Sequence, residues 1–179
     1  MTIEKLIQSY HVFIDEFLLL HQEALVAIDF QLADKIWQLF SDLLRSHIEA
    51  ENTRLFPLAE RLCTQARWPV SLYLHEHNKI ISLQHEVAAR LQTLYANPSR
   101  RGVVMMLDYQ RSFKNVIEHH EEREEIALLK ELQAESCADA LEEVYLTLVS
   151  VWPSIDSLLE QKADFERDLT RNKMLLASD

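Results

Sequence analysis

Apolar residues return along most of this chain at steps of three and four, the period of a helix. The first stripe is Ile3, Leu6, Tyr10, Phe13, Phe17, Ala24 and Ile28. The second is Leu32, Ile36, Leu39/Phe40 and Leu43; the third is Val70, Tyr73, Ile80/Ile81, Ala88, Leu91 and Leu94. The fourth is Val103, Met106, Phe113, Ile117 and Ala127/Leu128. Each predicts one helix. Asp29 is placed to cap the second, and Pro69 opens the third, where a missing N–H costs least. The clearest loop runs from Asn97 through Pro98 to Gly102. Pro57 falls inside the second pattern, which ends near Cys63, and should kink it. Two shorter patterns follow, from Leu141 to Trp152 and, beyond Pro153, from Ile155 to Leu169. The expectation is all-α: an up-down-up-down four-helix bundle over residues 1–135, with a helical extension over 136–179 that packs on the bundle or forms a dimer surface.

Polar residues interrupt these stripes in a repeated way. His21, His47, His77 and His120 each occupy a position in line with the apolar residues of one helix. Glu51 and Glu124 follow His47 and His120 by four, one turn on and on the same face. A core rejects unpaired carboxylates, since burying one costs several kcal/mol. Six such groups converging in one layer need a common partner, and a pair of divalent cations is the economical one. Imidazole nitrogen with carboxylate oxygen suits iron, manganese or zinc, and two acids from opposite helices can bridge two ions.

The other histidines are expected elsewhere. His11 lies about 80° off the inward line and ~15 Å along the axis from His21, which predicts a rim position. His75 and His119 should face solvent, and His85 should lie on the flank or behind a ligand. The run Glu121 to Glu125 reads as a solvated face, with Glu124 alone in phase with the core.

Composition narrows the class. One glycine and four prolines in 179 residues argue against folds that need many turns. A net charge of −11 disfavours nucleic acid as a partner. No apolar run approaches the ~20 residues that span a bilayer, and the start lacks the features of a signal peptide. Cys63 and Cys137 make no disulfide framework and have no metal-ligand spacing. A cytoplasmic protein is expected.

His21, His47 to Glu51 followed by Leu55-Phe56-Pro57, Glu76-His77, and His120 to Glu124 together resemble the hemerythrin-like (HHE cation-binding) family. The resemblance covers about residues 5 to 132. It implies a bundle holding two iron ions bridged by two carboxylates, with His21, His47, Glu51, His77, His120 and Glu124 as ligands, and zinc or manganese as substitutes. Family members bind O2, sense oxygen or iron, or handle nitric oxide and peroxide. Oxygen carriers have a second histidine one turn from the one in the third helix. Here Tyr73 and Ile81 stand at those steps from His77, so water, Tyr73 or His85 would fill the missing position. Three functions follow: a non-haem di-iron protein that binds or senses O2, NO or a related oxidant; a helical interaction module with structural metal or none; or a di-iron enzyme with peroxidase-like or oxygenase-like chemistry. The first, which is not an enzyme, is preferred.

Overall fold

The computed structural model describes residues 1–63, 65–135 and 138–176. The described chain is all-α, and the helices bundle around one apolar core. Helix α1 is Ile3–Val26. Helix α2 runs over 30–62 and α3 over Val70–Ala96. Helix α4 runs over 100–135, α5 over Ala138–Val151 and α6 over Ile155–Leu176. The expected boundary between residues 135 and 136 and the thiol of Cys137 touch positions outside the described residues. Cys63 is buried. No described helix is long and apolar enough to cross a membrane.

Local chemistry sets the helix ends. The Thr2 hydroxyl accepts from Lys5 N at 3.3 Å and opens α1. The turn to α2 holds Ile28 at φ 59°, a left-handed conformation that a β-branched residue rarely adopts. Two bonds close that turn, Ile28 N to Leu25 O and Asp29 N to Ala24 O, each 3.0 Å. The Asp29 carboxylate then accepts from Leu32 N at 3.0 Å, as a cap should. Ser99 does the same for α4 through Gly102 N at 3.0 Å. The loop before α4 is therefore shorter than the sequence suggests, because the serine cap starts the helix at Arg100. Gly102 belongs to α4 and marks a close approach to α3: a Cβ there would lie 2.7 Å from Leu94 Cδ1.

Both helices that carry a His-x-x-x-Glu pair contain one π-helical turn, and in both the turn begins at the glutamate. These turns are Glu51–Leu55 in α2 and Glu124–Leu128 in α4. Phe56 N bonds to Glu51 O, and Leu129 N bonds to Glu124 O. A five-residue hydrogen-bond step stacks residue 56 over residue 51, so the acid and the aromatic ring share one face. The irregularity expected at Pro57 thus lies upstream of it. Its twin in α4 has Lys130 at the matching position, so proline is not its general cause.

The core is aromatic around Trp37, Phe40 and Phe113, and Phe17, Ile14 and Leu25 are fully buried beside it. Helices α5 and α6 pack on α1, and α6 also reaches α2. Phe165 meets Phe17 edge-on at 6.3 Å, and Lys162 pairs with Glu16 at 3.3 Å.

Candidate metal centre

Two groups of four buried side chains each converge tightly enough to hold a metal ion. One is His11, His47, Glu51 and Glu124; the other is Glu51, His77, His120 and Glu124. Within each group the donor atoms lie within 4.8 Å of one another. The groups share both carboxylates, and Glu51 and Glu124 are each 0 % exposed.

The distances trace a chain of donors. His47 Nε2 is 3.0 Å from Glu51 Oε1, and His77 Nε2 is 3.3 Å from Glu51 Oε2. His120 Nε2 is 3.5 Å from Glu124 Oε1, and His11 Nε2 is 3.4 Å from Glu124 Oε2. Each carboxylate therefore reaches one histidine of each group. Far-side partners hold three of the rings. His77 Nδ1 donates to Asn52 Oδ1 at 2.7 Å, His120 Nδ1 to Glu76 Oε2 at 3.2 Å, and His11 Nδ1 to Glu125 Oε1 at 2.9 Å. Arg123 pairs with the other oxygen of Glu76.

These bonds test whether a metal fits. His77 and His120 each donate from Nδ1, so in neutral rings both Nε2 atoms carry lone pairs. Those two atoms face each other at 2.7 Å. A shared proton or a metal ion would relieve that repulsion. One proton is too little, because two buried carboxylates face the same space. Moreover, of the eleven buried side-chain N and O atoms without a hydrogen-bond partner among the described residues, seven belong to His11, His47, Glu51 and Glu124. Native interiors satisfy nearly all such atoms. Convergent unsatisfied acceptors of nitrogen and carboxylate type are what a divalent cation requires.

Protonation agrees. Burial lowers His47 and keeps it neutral. Burial opposes ionisation of Glu51, but the His47 and His77 imidazoles outweigh it and hold its carboxyl well below the usual range. Neutral imidazole and ionised carboxylate are the forms that bind metal. At His11 burial is outweighed by Glu124 and Glu125, which raise it well above its ordinary value.

The structure brings together His47, Glu51, His77, His120 and Glu124 and leaves His21 out. His21 is 0 % exposed, but its Nδ1 donates to Ala33 O at 2.8 Å and its Nε2 accepts from Gln110 at 3.0 Å. It is a satisfied core histidine, which burial lowers to about 4. The α1 member of the cluster is His11, 3 % exposed rather than at the rim. Depth explains the exchange. Helices α1 and α2 fold back at Ile28, and reflection about that turn puts His47 opposite about residue 9. The same rule about Pro98 pairs His77 with about residue 119, beside His120.

Other expectations resolve similarly. His75, His85 and His119 are exposed, so His85 does not approach the centre. Tyr73 is 1 % exposed and its ring lies 6.1 Å from that of His120, so it walls the site. Phe56 stacks on His77 with centroids 5.1 Å apart. The acidic run is less solvated than its composition suggests. Glu121 is buried, which pushes its carboxyl up to about 8, and Glu125 holds His11. One more residue comes from outside the four long helices: Trp152 packs on His47 with centroids 5.1 Å apart. Its only sequence signal was an aromatic residue ahead of Pro153. Comparison with protein-family models, with curated proteins and with solved structures gives no match to this chain.

Proposed function

We propose that this chain is a hemerythrin-like protein in which α1 to α4 form an up-down-up-down four-helix bundle around two divalent ions, iron by preference, that bind or sense O2, NO or a related oxidant. The observation that carries the reading is the pair of four-residue groups sharing Glu51 and Glu124. In this reading Glu51 and Glu124 would be shared by the two ions, with His77 and His120 holding one and His11 and His47 the other. Bound iron would supply there a redox-active Lewis acid for a small ligand.

The chain's own residues do the rest. Asn52, Glu76 and Glu125 fix which imidazole nitrogen faces inward. Phe56 and Tyr73, buried against His77 and His120, exclude bulk water.

Protein purified without chelator and moved from anaerobic to aerobic buffer tests this. The expected result is new near-ultraviolet absorption of a bridged ferric pair with about two irons per chain. An unchanged spectrum with no iron above background would overturn it.

A further inference from the structure

The two groups of donors differ in what stands behind them. On the His77 and His120 side, both rings give their far N–H to a side-chain acceptor, Asn52 at 2.7 Å and Glu76 at 3.2 Å. On the other side only His11 has one, Glu125 at 2.9 Å. His47 Nδ1 is buried with no hydrogen-bond partner among the described residues. Packing restrains that ring instead. The Trp152 indole lies against it at an interplanar angle of 30°. Trp152 directly follows Val151, the last residue of α5, and lies outside α1 to α4. Its Nε1 donates to Ser46 O at 3.2 Å, the residue before His47. Its ring also meets Tyr10 at 4.2 Å, and the Tyr10 hydroxyl donates to the Pro153 carbonyl. The junction of α5 and α6 is thus pinned at the back of one donor histidine.

We propose that the ion held by His11 and His47 is the weaker of the two, and that the α5–α6 junction controls its retention through Trp152. This rests on the two-ion reading above. Loss of a far-side acceptor behind a ligand histidine typically costs about 10–100-fold in metal affinity. Trp152 is a positioning residue that replaces part of that restraint by contact. Undocking the α5–α6 junction frees the His47 ring and admits water on that side. By reciprocity, the second ion stabilises the docked junction.

The test is titration of the metal-free full chain with Zn2+ against a competing chelator, with folding followed by circular dichroism. Wild type should bind in two steps at least about tenfold apart in Kd. The first step should survive His47→Ala and disappear in His120→Ala. Trp152→Ala should weaken the second step at least about tenfold and leave the first within about twofold. Trp152→Phe keeps an aromatic face but loses the bond to Ser46, and should weaken the second step by less. Two equal steps overturn the proposal, as does a Trp152→Ala effect on both steps alike or on neither. Should Trp152→Ala fail to fold, an unchanged second step in Trp152→Phe overturns it. Wild-type protein that takes up no zinc refutes the two-ion reading itself, a result distinct from uptake in two equal steps.

Discussion

At the residue scale, α1 carries two buried histidines in opposite electrostatic settings. His21 faces a carbonyl and an amide and stays neutral; His11 faces two carboxylates. The folded value of His21, about 4, lies below its ordinary 6.5. The folded state therefore binds fewer protons there than the unfolded chain. His21 contributes fully to stability above pH 6.5, and that contribution is lost as pH falls toward 4. It amounts to on the order of 3 kcal/mol. Urea midpoints of chelator-treated protein should drop across this window, and His21→Leu should flatten the drop; an equal slope in the variant would refute it. His11→Ala should reduce bound metal from two ions toward one while His21→Leu keeps both, as measured by elemental analysis. The inward phase of α1 was readable from its stripe, but phase says nothing of depth. Depth follows from where the chain turns, and reflection about Ile28 selects His11. The acidic run was opaque for another reason: Glu121 and Glu125 are buried or held by His11, a partner more than a hundred positions away.

At the element scale, the two π-helical turns place Glu51 with Phe56 and Glu124 with Leu129 on shared faces. A one-residue insertion beside exposed Thr53 would add a residue beyond what the π step absorbs and rotate the following residues by about 100°. Leu55, Phe56, Leu58 and Ala59, all buried, would leave their contacts. Displacing even one large core side chain costs about 3–5 kcal/mol. The insertion should therefore lower the melting temperature sharply and release metal, because Phe56 no longer supports His77. A melting curve and metal content like wild type would show that the π turn has no such role. Helix identity and caps were legible because they depend on nearby residues, as at Asp29 and Ser99. The π turns left only a faint trace, the matching Leu55-Phe56 and Leu128-Leu129, since an extra residue per turn looks like a break in period.

At the scale of the whole molecule, the acids and imidazoles join α1, α2, α3 and α4 at one point, and Trp152 adds the α5–α6 junction. Metal bound only by the folded chain stabilises it by mass action, about 4 kcal/mol at a thousandfold excess over Kd. For a chain of this length that is on the order of 10 °C. Chelator treatment should lower the melting temperature by that order and Zn2+ should restore it; an indifferent melting temperature would mean that the cluster is not a metal link between helices.

Elemental analysis of protein purified without chelator, beside the double variant Glu51→Ala Glu124→Ala, is the most direct test of a shared two-ion site. The variant removes both bridges and relieves a buried charge, so it should fold. The account predicts two ions per wild-type chain and fewer than one in the variant. Equal metal content in the two proteins would contradict it.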